Sequence, residues 1–193
     1  YVGERATESI LGGSIRRGDF ETISGALMLC DAHGFTERAE TESKAALTAA
    51  LNDYLADVII TIEASGGEVL KLIGDGVLAI FVEREFGDER STCEVALDAA
   101  HRIAMRRAGD FTRGIALHFG EAAFGNVGAE SRLDFTVIGA SVNRVSRIEG
   151  LTRSLNETIL TSETFATLHG GPFRSLGQYQ LRGIKGSVDI YAP

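Results

Sequence analysis

The 193-residue chain is poor in the features that mark several protein classes. It has two cysteines, Cys30 and Cys93, both inside apolar stretches. Two are too few for a disulfide framework and point instead to buried, reduced thiols in a cytoplasmic protein. Basic residues are outnumbered, 19 Lys and Arg against 27 Asp and Glu, for a formal charge of −8. A nucleic-acid partner needs a basic face, so that class is set aside. Any anionic ligand must then be held by local cations, helix N-termini or metal ions. No apolar run approaches the ~20 residues of a membrane-spanning helix, so no membrane contact is expected from this segment. Internal repeats and low-complexity tracts are absent. The four histidines, His33, His101, His118 and His169, lack metal-ligand spacing and read as structural or surface groups. Neither Met28 nor Met105 stands at the start, which is Tyr1, so a piece of a longer protein is expected. What is present, 44% hydrophobic and 24% charged residues, describes one ordinary domain with a sizeable core.

Residues 1–20 read as a short helical lead and a polar connector, and residues 21–193 as the domain proper. The apolar run 23–30 is a buried strand that ends at Asp31. A helix is expected over 41–64, with Leu47, Leu51, Leu55, Val58, Ile59 and Ile62 on one face. Residues 69–81 form a β-hairpin around Gly74-Asp75-Gly76. A second helix covers 90–107. The stretch 112–127 reads as strand-turn-strand, broken at Gly120 and at Gly125-Asn126. A short strand at 135–138 leads into a helix at 140–151, and closing strands fall near 159–160, 173–181 and 188–191. The order β-α-β-β-α-β plus extra elements predicts an α+β fold of the split βαβ, ferredoxin-like type: an antiparallel sheet with two helices on one face. The other face is left for a ligand or a second copy, with the first strand expected between the third and the second.

Three constellations carry chemistry. Inside the hairpin, Lys71 and Asp75 have no packing use, because an ionised side chain in a core is costly unless paired. A turn aspartate and a lysine reaching the surface is the plainer account. Asp31 ends a strand, and Ala32-His33-Gly34-Phe35-Thr36 turns the chain straight into a helical segment. Backbone N–H groups at such a turn cradle phosphate oxygens, and Gly34 permits close approach. A carboxylate beside that cradle is repelled unless a divalent cation lies between. With Asp75 as a second carboxylate, the set suits Mg²⁺, which takes hard oxygens and completes its shell with water and substrate phosphates. Two such ions about 3.5–4 Å apart would clamp the attacking and leaving oxygens of a phosphoryl transfer. Finally, Asn143 and Arg147 are four apart on one helix, where they are either a solvated face or a pair that holds ribose and neutralises a phosphoryl group.

Together, Asp31-x-x-Gly34-Phe35-Thr36, Lys71-x-x-Gly74-Asp75 and Thr136-x-x-Gly139-x-x-Val142-Asn143-x-x-x-Arg147 resemble, in order and spacing, the class III nucleotidyl cyclase catalytic domain. The likeness is to the threonine-type bacterial adenylate cyclases and runs from about residue 21 to the C-terminus. It implies that Asp31 and Asp75 bind two Mg²⁺ (or Mn²⁺) per active site. Lys71 and Thr136 would read adenine, Asn143 would orient the ribose, and Arg147 would stabilise the transition state. Gly34, Phe35 and Thr36 would hold phosphates. The reaction implied is attack of the ribose 3′-oxygen of ATP on the α-phosphorus, giving 3′,5′-cyclic AMP and pyrophosphate. The resemblance also implies a homodimer with shared sites, the aspartates from one subunit and Lys, Thr, Asn and Arg from the other, fused to an upstream sensor or regulatory module.

Three positions depart from the family pattern. Glu121 stands where some members carry a phosphate-binding arginine, Ala140 where many have aspartate, and His33 where arginine or an aliphatic residue is common. Arg182 and Lys185 are candidate substitutes for the missing phosphate contact. Other functions consistent with these residues are a guanylate cyclase or a non-catalytic cyclase-like module that binds nucleotide or dimerises a signalling protein. A diguanylate cyclase or polymerase on a related sheet is a further one, which the helix of Asn143 and Arg147 disfavours.

Overall fold

A computed structural model describes residues 20–106, 108–129 and 132–193, with residues 132–135 as backbone. The expected helical lead therefore lies outside the described residues. The first strand, β1 (Phe20–His33), alternates along its buried length. Ala26, Met28, Cys30 and Ala32 join one core cluster, while Ile23, Leu27 and Leu29 join another on the opposite face. Asp31 and His33 fall on the Leu27–Leu29 face by the same period of two.

After the short helix α1 (Phe35–Thr41), α2 (Lys44–Glu63) begins at Ser43, whose hydroxyl accepts from the Ala46 N–H. The chain continues through β2 (Glu68–Ile73), β3 (Gly76–Val82), α3 (Glu89–Met105) and β4 (Thr112–Ala129). Next come β5 (Arg132–Ile138), α4 (Ala140–Glu149), β6 (Ile159–Ser162), α5 (Glu163–His169), β7 (Arg174–Gln180) and β8 (Ser187–Ala192). The strands lie in the order β2-β3-β1-β4-β6-β8-β7, and β5 pairs with β4. The first four are antiparallel, which is the split βαβ core. Beyond them β6 runs parallel to β4, making the whole sheet mixed. β1 lies between β3 and β4, not between the third and second strands as the sequence suggested. Convergence of the two aspartate turns survives that correction, because β1 pairs directly with β3 and Cys30 faces Val77.

One face is covered by α2 and α3, through Tyr54, Val58, Ile62, Cys93, Ala96, Ala100 and Ile103, all fully buried. Each large apolar group buried there contributes roughly 1.5–3 kcal/mol. Both thiols are free and buried, and burial pushes Cys30 and Cys93 up to about 12. The opposite face, expected to be left open, is covered in part by α4. Its residues Val142, Val145 and Ile148 recur every third position and share one buried cluster with Leu27, Leu29, Leu78 and Ile80.

Two other expectations fail for local reasons. β4 is a single strand of 18 residues with no turn at Gly120 or Gly125-Asn126. A Cβ on Gly120 would stand 2.5 Å from Ser141 Oγ, so this glycine marks close approach of α4 and not a turn. In addition, the 20-residue helix α2 is long and apolar enough by length and composition to cross a membrane, contrary to the sequence expectation. Its buried stripe lies on the sheet, and Asp57 on the same helix pairs with Arg113 of β4 at 3.0 Å.

Candidate active site

The end of β1 builds an acidic edge. Asp31 is half-buried and faces the β2–β3 turn, where a Cβ on Gly76 would come 3.3 Å from its Oδ1. Asp75, also half-buried, precedes that glycine. Burial, then the nearby carboxylates of Glu149 and Asp75, push Asp31 up to about 6, while His33 and Arg153 oppose the shift. Ligand atoms of Asp31, His33 and Glu149 all lie within 4.8 Å of one another. Oxygen donors crowded by like charge are the environment a hard divalent cation relieves. His33, which the sequence marked as a structural or surface histidine and as a departure from the family, instead stands inside the acidic edge. Next to it, Gly34 adopts a left-handed φ of 88° at the N-terminus of α1, with no side chain capping the helix. Thr36 is exposed on the first turn of α1, and Phe35 packs on Phe111. A cavity of about 430 Å³ opens beside His33 and Gly34 and is also lined by Arg113 and Arg153.

The second set of predicted residues lies on the same face of the sheet but on other elements. β2 pairs regularly with β3 until a bulge between Val69 and Lys71. Val69 pairs with Ala79, a residue of the α2–α3 face, whereas Lys71 pairs with Leu78, a residue of the α4 face. Without the bulge, Lys71 would share the side of Val69 and point under the helices; the extra residue turns it over. There Lys71 Nζ donates to Thr136 Oγ1 at 3.1 Å, although β3, β1 and β4 separate their strands in the sheet order. Asn143 and Arg147 are both exposed on α4, one turn apart.

Arg182 and Lys185 are exposed in the turn between β7 and β8, at the sheet edge opposite β2. The chain does not bring them to Asp31. Glu121 and Ala140 are exposed, the former on β4. Of the other histidines, His118 is buried against Ser162 Oγ at 2.8 Å and pushed down to about 4 by burial and by Arg144. His169 packs between Phe165 and Phe173.

Sequence reasoning missed Glu149, Thr152 and Gly114, which surround Asp31 and His33. The one usable signal was a glycine inside a strand, and its meaning needs the register that sets Gly114 opposite Asp31.

The family model for the adenylate and guanylate cyclase catalytic domain matches residues 19–192. An adenylate cyclase of Anabaena cylindrica is 35% identical over 168 residues, covering 78% of this chain and 32% of that protein. The chain spans about a third or less of the length of the curated relatives it matches. Among solved structures, the adenylyl cyclase CyaB of P. aeruginosa superposes with a TM-score of 0.75 at 25% identity, covering 90% of this chain and 94% of that one. The guanylyl cyclase Cya2 superposes with a TM-score of 0.64 at 25% identity, covering 91% of this chain and 93% of that one.

Proposed function

This chain belongs to the adenylate and guanylate cyclase catalytic domain family, and we propose that it converts ATP to 3′,5′-cyclic AMP and pyrophosphate at two sites shared across a homodimer. The observation that carries the choice of ATP is the bond from Lys71 Nζ to Thr136 Oγ1 at 3.1 Å. It fixes an ammonium donor and a hydroxyl side by side, on strands that are not neighbours in the sheet order. Adenine offers an acceptor at N1 and a donor at N6, which a lysine and a hydroxyl complement. Guanine presents an N1–H donor where the lysine also donates, so the pair disfavours it.

The remaining residues divide by role. Backbone N–H groups after Gly34 hold the phosphates, Asn143 orients the ribose, and Arg147 donates to charge growing on the α-phosphoryl group. Holding the 3′-hydroxyl in line with the α-phosphorus makes the step intramolecular, so the protein supplies position and charge without a covalent intermediate. Asp31 and Asp75 would hold two Mg²⁺ or Mn²⁺, and the crowding that raises Asp31 fits such a cation. Bound there, the ions offset the triphosphate's charge and acidify the 3′-hydroxyl.

A homodimer is supported by exposed apolar groups on the base-reading elements. Leu72 and Ile73 on β2, Val127 on β4 and Ile138 on β5 are 47%, 51%, 44% and 51% exposed. Incubating the purified domain with each nucleotide and Mg²⁺ or Mn²⁺, then resolving products by chromatography, tests the reading. Cyclic AMP from ATP is expected, with GTP turned over at least roughly tenfold more slowly. Cyclic GMP formed as readily would refute the base-reading role of Lys71 and Thr136, and no cyclic product from either would leave a binding module.

A further inference from the structure

Asp31 pairs across the β1–β4 ladder with Gly114, and three side chains from three elements meet over that glycine. They are His33 of β1, Glu149 at the end of α4, and Thr152 in the helical turn Thr152–Leu155. A Cβ on Gly114 would stand 2.4 Å from His33 Nε2 and 2.5 Å from both Glu149 Oε1 and Thr152 Oγ1. The missing side chain is therefore the space in which the three polar groups fit. The Thr152 hydroxyl donates to the Glu149 carbonyl oxygen at 2.7 Å and lies 3.1 Å from His33 Nε2 and 3.3 Å from Glu149 Oε1. Glu149 Oε1 is 3.5 Å from His33 Nε2, and the two side chains are only 13% and 15% exposed. Packing of α4 does not explain the carboxylate, since Val145 and Ile148 make the contact with the sheet. That carboxylate also lies within 4.8 Å of Asp31, and one imidazole, His33, cannot offset two acids so close together, which leaves room for a cation between them.

We propose that Glu149 is a positioning residue for the divalent cation at Asp31. Clamped by Thr152 and His33 over Gly114, it adds a fixed negative charge close behind Asp31 and strengthens the hold of that carboxylate on the ion. The inference rests on the reading of Asp31 as a metal ligand. Coulomb energy scales with both charges, so removing one fixed charge beside a doubly charged ion in a half-buried site weakens binding about tenfold or more.

The test is Mn²⁺ binding to the nucleotide-free protein, followed by loss of the free-ion electron paramagnetic resonance signal. Glu149→Gln keeps the shape and removes the charge. The dissociation constant should rise about tenfold or more, and the half-saturating Mn²⁺ concentration for turnover should rise in step. The rate at saturating metal should change far less, and Glu149→Asp should recover part of the affinity. Asp31→Asn is the reference and should lose Mn²⁺ binding. Parental Mn²⁺ affinity in Asp31→Asn would sink the metal reading and this inference together. Loss in Asp31→Asn with parental affinity in Glu149→Gln would overturn the inference alone. Should Glu149→Gln not fold, Thr152→Val leaves the charge but opens the clamp, with an expected weakening of roughly threefold; unchanged Mn²⁺ binding there would overturn the positioning role.

Discussion

At the end of β1, Asp31 lies half-buried among Asp75, Glu149 and His33, hemmed in by a glycine on each neighbouring strand. On α4, Asn143 and Arg147 stand in solvent, and beyond them Lys71 reaches Thr136 between strands that are not neighbours. The acidic edge is assembled within one chain and is unfavourable to itself, since its charges repel. The elements proposed to read the base carry donors and exposed apolar groups together, Leu72, Ile73 and Ile138 among them. Under the proposed function the difference is that between two half-sites of opposite sign in one protomer, each of which the complementary half of a second protomer would relieve.

The largest effect that would break this comparison is complementation. Asp75→Ala removes the acidic half, and Arg147→Ala the basic half, where losing one preorganised donor costs on the order of 10²–10³ in rate. Either homodimer should be nearly inactive. In a mixed dimer both lesions fall in one site and the other is native, so mixing equal amounts should restore roughly a quarter of parental cyclic AMP formation. A mixture as dead as its components, despite demonstrated subunit exchange, would mean that each chain carries a complete site.

A smaller change sharpens the base-reading side. Thr136→Val keeps the volume and removes the oxygen that accepts from Lys71. The preference for ATP over GTP, measured as a ratio of kcat/KM values, should fall by roughly tenfold while the fold is retained. An unchanged ratio would leave the Lys71–Thr136 contact without a role in specificity.

The smallest effect sharpens the acidic side and has the opposite sign from an ordinary lesion. Asp31 is raised from 3.8 to about 6, so between those pH values the native state holds its proton more tightly than the unfolded chain. Metal-free protein should lose stability as pH rises through that window, by on the order of 1–2 kcal/mol given the residue's partial exposure. Asp31→Asn should abolish turnover and yet raise the melting temperature by a few degrees at pH 8 in chelator, with no gain at pH 4. Melts of both proteins at the two pH values check this. A destabilised variant at pH 8 would show that the carboxylate is not strained.

Much of the fold was legible because its signals are local. The apolar run before Asp31, the hairpin at Gly74-Asp75-Gly76 and the helical period around Val145 each reflect nearest neighbours in sequence. What was misread depends on register. Gly120 looked like a turn because a glycine interrupts a strand pattern, and only the approach of Ser141 explains it. The cover that α4 provides was missed because an amphipathic helix does not say which sheet face it takes. In the candidate site, Lys71 stood out as a charge in an apolar run, but the bulge that aims it has no mark in the residues themselves. Glu149 reads as any acid at the end of a helix, and its neighbours Asp31, His33 and Gly114 come from strands far away in sequence.

One consequence follows from the way α4 is seated. Its first turn fits Ser141 against Gly120, and its last residue fits Glu149 against Gly114, two notches in the same strand. A rod keyed at both ends cannot swivel on its long axis without driving one end into the strand backbone. Arg147 therefore has a fixed bearing relative to β4, as rigid as a tooth on a gear. In the proposed homodimer, turnover would then respond to the spacing of the two copies and not to a helix turning within one of them.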